Sequence, residues 1–203
     1  RKNLPMVLLH ASAYLAWAAI GWDLWSNGAL APAWLDAPAP PAALAALHLA
    51  FLALMASLMS EVVRPGWPQR LLVLGEIAVA LAMLAIARNH TLPILVTLCV
   101  IHLIYAWPVR AAVLLIAALN LVVFAIYDVV WGLSSAWTYW LTHLSFQAFA
   151  GLTVWFGFKA GEARDELAAT HADLLATRTL LAESVRDGER LRLSRELHDV
   201  AGH

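Results

Sequence analysis

The feature that most constrains this chain of 203 residues is a series of apolar runs in residues 1–158, each about as long as a bilayer is thick. The hydrocarbon core of a membrane needs roughly 20 apolar residues per helix. Of all residues, 62% are hydrophobic and 13% are charged, whereas roughly a quarter of the residues in a soluble domain are charged. The sequence therefore predicts an all-α transmembrane domain over residues 1–158.

We predict six spans, separated by connections that contain clusters of proline. Their bounds are 5–25, 41–63, 70–88, 92–107, 110–131 and 137–158. The fourth span is short and ends at Pro108, so a tight hairpin with the fifth is expected. A five-span alternative, in which the fourth is merged or lost, would put the two termini on opposite sides of the membrane.

The distribution of lysine and arginine predicts the orientation of the spans. With six spans, one side of the membrane carries seven basic residues and the other carries only Arg88. The seven are Arg1, Lys2, Arg64, Arg70, Arg110, Lys159 and Arg164. Because the basic side of a membrane protein is the cytoplasmic side, we expect both termini in the cytoplasm. The net charge of −1 gives no reason to expect a nucleic-acid partner.

After Lys159 the apolar runs end and charged residues become frequent. Residues 159–188 are rich in Ala, Leu, Glu and Arg and contain no proline, which predicts a helix. One seam of leucines repeats every seven residues, as in a coiled coil; these are Leu167, Leu174 and Leu181. The second seam is poor, so we predict a marginal coiled-coil linker. The alternatives are a single helix and a dimer stabilised mainly by the residues that follow. Asp187–Gly188 favours helix weakly and is expected to separate this linker from the next helix.

Residues 189–203 read ERLRLSRELHDVAGH. This stretch resembles the phosphoacceptor helix of sensor histidine kinases of two-component systems, in the branch that pairs with NarL-type response regulators. The pattern of that helix is close to E-R-x-R-[IL]-[AS]-R-[ED]-[LI]-H-[DE]-x-x-G-[HQ], and this sequence meets every constrained position. The resemblance is close over these fifteen residues only; the six-span domain matches the family in layout.

The resemblance implies a role for four residues. His198 would be the phosphoacceptor, and Asp199 would act as general base or orient its ring. His203 would position the water that removes phosphate from the regulator. Arg195, one helical turn before His198, would offset phosphate charge.

The resemblance also implies partners. ATP and Mg²⁺ would be bound by a domain that follows this helix in the family, so residues 1–203 are expected to be truncated within the dimerisation domain. On their own they should be inactive and hold no cofactor. We expect a homodimer in a bacterial inner membrane, with a NarL-type regulator as partner. An apolar stripe at i, i+4 and i+7 also predicts the dimer; it is formed by Leu193, Leu197 and Val200.

Ionisable residues within spans are costly and suggest function. The candidates for sensing lie towards the cytoplasmic side at His10, Glu76 and His102, and towards the outer side at Asp23, His48, Asp128 and His143. Asn120 and Gln147 lie near mid-depth. These residues would bind a ligand, a proton or a metal, or else make interhelical hydrogen bonds that fix packing, worth about 0.6–2 kcal/mol each.

Other signals remain open. Cys99 and His102, three residues apart, would supply two ligands to a soft metal, but no third ligand is evident and we predict no metal site. A haem between histidines and a response of the short fourth span to bilayer thickness are further alternatives. Two rival functions are a small membrane carrier or ligand-binding protein with a coiled-coil assembly tail, and a degenerate kinase that acts as a scaffold.

Overall fold

The chain folds into α-helices joined by short connections. A computed structural model describes the backbone of residues 4–60 and 63–202, and the side chains of residues 7–60, 63–197, 201 and 202. The helices are α1 (Leu4–Asn27), α2 (Pro41–Met59), α3 (Trp67–Ile86), α4 (Pro93–Ala106), α5 (Val109–Ala125) and α6 (Ala136–Gly202). Five residues after α5, Ile126–Val130, form a π-helical turn. The prediction of an all-α fold is confirmed for the described residues.

Proline marks the start of three helices. Pro41 and Pro93 are the first residues of α2 and α4, and Pro68 is the second residue of α3. Proline suits this position because the first N–H groups of a helix have no partner within it. Gly66, just before α3, has φ of 123°, which other residues rarely adopt.

Four helices are long and apolar enough to cross a membrane: Val7–Asn27, Pro41–Met59, Trp67–Ile86 and Val109–Val130. The apolar part of α6 falls outside this group because Thr, His, Ser, Gln and Trp lower its mean hydropathy. Many large apolar side chains point away from the protein, with Trp25 and Phe149 85% and 72% exposed. Such a surface is unfavourable in water and suits contact with lipid.

The fourth predicted span is a buried helix of only 14 residues. At 1.5 Å per residue it is about 21 Å long, shorter than the ~30 Å hydrocarbon core. Leu95, Val96 and Leu103 are fully buried. This helix therefore contributes more to the core than to the lipid-facing surface.

Hydrogen bonds join the connections at one end of the bundle, which we call the Arg88 end (residues 28–40, 87–92 and 131–135). Leu30 and Arg88 exchange backbone hydrogen bonds of 2.9 and 3.0 Å. The Arg88 guanidinium donates to the Trp131 carbonyl at 3.3 Å. Three connections meet here: α1, α3 and the π-helical turn end at this end, and α2, α4 and α6 begin at it.

At the opposite end, which we call the Arg70 end (residues 60, 63–66, 107 and 108), the side chain of Arg70 links α3 to α4. Arg70 Nε donates to the Ala106 carbonyl at 3.1 Å. Its guanidinium lies 5.8 and 5.6 Å from the ring centroids of Trp67 and Trp107. A cation held between aromatic rings is stabilised by their negative faces.

The chain divides into two compact units, Arg1–Val154 and Trp155–His203. In the first unit, α6 packs closely at Gly151, where an added Cβ would lie 3.1 Å from Ile104 Cδ1. In the second unit the described side chains are almost all exposed. The helix runs without interruption through Asp187–Gly188. The separation expected here between the linker and the next helix is therefore not a break in the helix, because one glycine costs only about 1 kcal/mol.

Candidate functional site

A buried acid–base pair joins α3 and α4. Glu76 is fully buried, and its Oε2 lies 2.7 Å from Nδ1 of His102, which is 8% exposed. Glu76 is buried because it shares one helical face with Val73, Ala80 and Met83, the core residues of α3. Its second oxygen, Oε1, has no hydrogen-bond partner among the described residues. Removing one member of such a pair leaves a polar group buried without a partner.

A cavity of about 670 Å³ lies beside this pair, among α1, α2, α3 and α4. Polar side chains reach it from three helices: His10 and Ser12 from α1, Gln69 from α3, and His102 from α4. Leu58 and Leu98 are among its apolar neighbours. This volume lies within the roughly 300–1,000 Å³ of small-molecule sites.

The structure thus brings together all three residues that the sequence placed towards the cytoplasmic side. His10 and His102 both line the cavity, and Glu76 lies behind His102. Gln69 and Tyr105, which also line it, were missed. Gln69 belongs to the first turn of α3 and Tyr105 to the last turn of α4, where polar residues are common and gave no signal.

Asp23 anchors a second polar cluster, at the Arg88 end. Its carboxylate accepts hydrogen bonds from Asn27 at 2.7 Å, Asn89 at 2.8 Å and Thr91 at 3.0 Å. Asn89 also donates to the Gly28 carbonyl at 3.1 Å. The cluster ties the end of α1 to the connection between α3 and α4, so its geometry explains Asp23 as a structural residue.

His48 is packed against Trp17. The two rings are stacked, with centroids 4.6 Å apart and planes 7° apart. His48 Nε2 lies 3.1 Å from the Trp17 carbonyl, and Trp17 Nε1 donates to the His48 carbonyl at 3.0 Å. These contacts hold α1 against α2, and they correspond to the packing alternative stated for the intramembrane residues.

His143 and Asp128 do not join either cluster. His143 Nε2 lies 2.5 Å from the Pro93 carbonyl and borders a smaller pocket of about 240 Å³ with Tyr127 and Trp131. Asp128 is exposed in the π-helical turn. π-Helical turns occur often at functional sites, but the described neighbours of Asp128 form no site around it.

At mid-depth, Asn120 Nδ2 donates to Gln147 Oε1 at 2.9 Å, which links α5 to α6. Trp140 Nε1 donates to the Asn120 backbone carbonyl at 2.9 Å. Both amides are buried, with 3% and 2% exposed. This contact again matches the packing alternative, since it is an interhelical hydrogen bond between uncharged groups.

The described residues hold no group of three or more His, Cys, Asp or Glu side chains arranged for a metal ion. Cys99 is a buried free thiol. The open alternative of a soft metal on Cys99 and His102 therefore gains no third ligand from the described part of the chain.

The last part of α6 carries the residues of the phosphoacceptor pattern. The backbone of His198 and Asp199 is helical, while their side chains and all of His203 lie outside the described residues. Arg195 is exposed, one turn before His198. Arg192 pairs with Glu189 at 3.0 Å and with Glu196 at 3.5 Å, along the exposed surface of the same helix.

Comparison with protein families, with curated proteins and with solved structures finds no match to this chain.

Proposed function

We propose that this chain is the sensor and phosphoacceptor part of a membrane-bound histidine kinase. His198 would receive phosphate from ATP and pass it to an aspartate of a NarL-type response regulator. ATP and Mg²⁺ would be held by a separate domain, and His203 would support removal of phosphate from the regulator.

The observation that carries this proposal is the sequence pattern of residues 189–203, of which residues 189–202 belong to one uninterrupted helix. A helix places Arg195 one turn before His198, on the same face, where its charge can meet a phosphate. Asp199, adjacent to His198, suits a residue that orients the ring or accepts its proton. Arg195 is exposed, as contact with a second protein requires.

The route of the signal follows from the same helix. α6 begins at Ala136 and reaches Gly202, and the proposed signal is a rotation or shift of its first part that passes along this helix. The proposed arrangement has six spans and both termini in the cytoplasm of a bacterial cell. Two copies would pair through the leucine seam, and the two-state element would be the helix pair.

The test is incorporation of phosphate from γ-labelled ATP into the protein in lipid nanodiscs, together with any sequence that follows His203 in the cell. The variant is His198→Gln, and the matched control is His171→Gln, an exposed histidine of the same helix. We expect label that is lost in acid and stable in base, absent from His198→Gln and unchanged in His171→Gln. Label that persists in His198→Gln would refute the proposal.

The cavity is the observation behind a second candidate, a membrane carrier or ligand-binding protein without phosphotransfer. A volume of about 670 Å³ beside a buried acid–base pair suits ligand binding in either case. The two candidates separate in the same experiment, since a carrier would take up no phosphate on His198 while it still bound its ligand.

A further inference from the structure

We infer that the pocket of about 240 Å³ at the start of α6 binds a small aromatic molecule that carries one hydrogen-bonding group. The inference rests on this pocket and not on phosphotransfer. The pocket lies at the Arg88 end, where the π-helical turn ends and where α4 and α6 begin. Its lining belongs to residues 90–146, all of which the structure describes.

The first support is the number of rings in the lining. The π-helical turn contributes Tyr127, and Trp131 follows directly after it, with the two ring centroids 5.1 Å apart. Tyr139 and Phe146 reach the same pocket from α6. Tyr139 is also stacked on His90, with centroids 5.7 Å apart. Because aromatic rings attract one another beyond the effect of their buried area, this lining favours an aromatic ligand over an aliphatic one.

The second support is the hydroxyl group of Tyr127. This residue is only 2% exposed and lines the pocket, yet its hydroxyl has no hydrogen-bond partner within the described part of the chain. A buried tyrosine hydroxyl usually has a partner. Because such a hydroxyl both donates and accepts hydrogen bonds, a hydroxyl group on the ligand would satisfy it in either role.

Three other polar groups of the lining are already engaged within the protein. Trp131 Nε1 donates to the Leu84 carbonyl at 2.8 Å. The Thr142 hydroxyl donates to the Thr138 carbonyl at 2.8 Å. His143 Nε2 lies 2.5 Å from the Pro93 carbonyl. In the described part of the chain, the Tyr127 hydroxyl is by contrast a buried polar group that is free to bind a ligand.

The third support is the size and charge of the site. A volume of about 240 Å³ is below the roughly 300–1,000 Å³ of drug-sized sites, so the ligand has one or two rings. A cation is disfavoured, although aromatic rings attract cations. The guanidinium of Arg88 donates to the Trp131 carbonyl at 3.3 Å, so a positive charge already lies beside this ring residue.

The probe is 3-azidophenol, a single ring with a hydroxyl group. Under ultraviolet light its azide loses N₂, and the resulting nitrene inserts into nearby C–H bonds. The protein is reconstituted in lipid nanodiscs and illuminated, and adducts are located by peptide mass spectrometry. We expect adducts on the pocket lining, at Thr138 or Thr142. A protein without adducts in this pocket would overturn the inference.

Competitors, added at equal mole fractions in the lipid, define the class of ligand. Naphthalene lacks the hydroxyl of 2-naphthol, and decahydro-2-naphthol lacks its aromatic rings. We expect 2-naphthol to suppress the adducts at concentrations about fivefold lower than either, the effect of one hydrogen bond or of ring contacts. Equal suppression by naphthalene or by decahydro-2-naphthol would overturn the inference. Stronger suppression by phenyltrimethylammonium would also overturn it, because the pocket would then bind cations.

A variant tests the hydroxyl itself. Tyr127→Phe removes the hydroxyl and keeps the ring, and it breaks no hydrogen bond within the described part of the chain, so the bundle should fold. The matched control is Tyr14→Phe, which changes a tyrosine of α1 outside this pocket. We expect 2-naphthol and naphthalene to compete equally in Tyr127→Phe, and the fivefold difference to persist in Tyr14→Phe. A difference that persists in Tyr127→Phe would contradict the inference, and competition on the native protein decides even if this variant does not fold.

Neither readout involves phosphate on His198. A protein that prefers 2-naphthol and is never phosphorylated would refute the proposed kinase and leave this inference intact. A protein that is phosphorylated on His198 and shows no preference for 2-naphthol would do the reverse.

Discussion

At the scale of single residues, Glu76 is costly to bury because its side chain ends in an ionisable carboxyl group. Its carboxyl group is fully buried, one oxygen is bonded to His102 and the other has no partner among the described residues. The Glu76–His102 pair joins α3 to α4, and His102 also lines the cavity. The pair therefore affects both the stability of the bundle and the lining of the cavity.

His102→Phe should destabilise the bundle by about 3–5 kcal/mol, because it leaves the Glu76 carboxyl group buried without a partner. The double variant Glu76→Leu/His102→Phe should recover most of this loss. Thermal unfolding of the detergent-solubilised protein measures both. A double variant as unstable as the single one would show that the two residues are not coupled.

A second prediction at the scale of single residues concerns Gly21. A Cβ on Gly21 would lie 2.8 Å from His48 Nε2, and the ring cannot move without leaving its stack on Trp17. Gly21→Ala should therefore cost about 1–3 kcal/mol. Gly75→Ala is the matched control, since its Cβ would meet Leu54 at an ordinary 3.7 Å; in a helix it should stabilise by up to ~1 kcal/mol. Equal effects of the two substitutions in thermal unfolding would contradict the close contact at Gly21.

Part of the site could be predicted from sequence at this scale. Positions along the spans were enough to group His10, Glu76 and His102 by depth, because a helix converts sequence position into depth. The partners of Asp23 could not be predicted in this way. Asn89 and Thr91 lie in a connection whose path depends on the tertiary fold.

Among the elements, α6 carries the proposed signal. In the second unit, α6 exposes leucines at the heptad positions, such as Leu174, which is 57% exposed. It also exposes leucines outside that heptad, such as Leu175, which is 51% exposed. A coiled-coil partner would bury the heptad leucines, such as Leu174, and leave Leu175 in water.

Leu174→Asn should therefore reduce the dimer fraction roughly tenfold, the effect of losing one buried leucine. Leu175→Asn should change it by about twofold at most, as a surface substitution does. Chemical cross-linking of the protein in nanodiscs, read on denaturing gels, compares the two. If both substitutions weakened the dimer equally, the heptad would not be the dimer seam.

The helix bounds could be predicted where proline and apolar length agree, as at Pro41, the first residue of α2. They could not be predicted where the chain has no strong stop. Asp187–Gly188 lowers helix preference locally, but propagation of a helix across one weak site costs less than ending it there. The length of α4 was also overestimated, by one residue at each end, because Leu92 and Trp107 are apolar and lie just outside the helix.

At the scale of the whole molecule, the proposed topology places the Arg88 end outside and the Arg70 end in the cytoplasm. Cysteine labelling tests it, because the native Cys99 is buried and gives little background. The positions are Ala37→Cys at the Arg88 end, Val109→Cys beside the Arg70 end and Ala168→Cys in the second unit, all exposed.

A membrane-impermeant maleimide should label Ala37→Cys in intact cells, and Val109→Cys and Ala168→Cys only after permeabilisation. Labelling of Val109→Cys from outside would mean that α4 does not cross the membrane. Labelling of Ala168→Cys from outside would refute the six-span arrangement.

The central claim is that His198 carries phosphate, and the most direct measurement is to locate phosphate on the protein in the membranes of cells that produce it. Peptides are prepared at neutral or alkaline pH, so that phosphohistidine survives, and fragmented without loss of phosphate in a mass spectrometer. We expect phosphate on the imidazole of His198 and none on His171, which lies on the same exposed helix. Phosphate on another residue, or none on a protein shown to bind ATP, would contradict the claim.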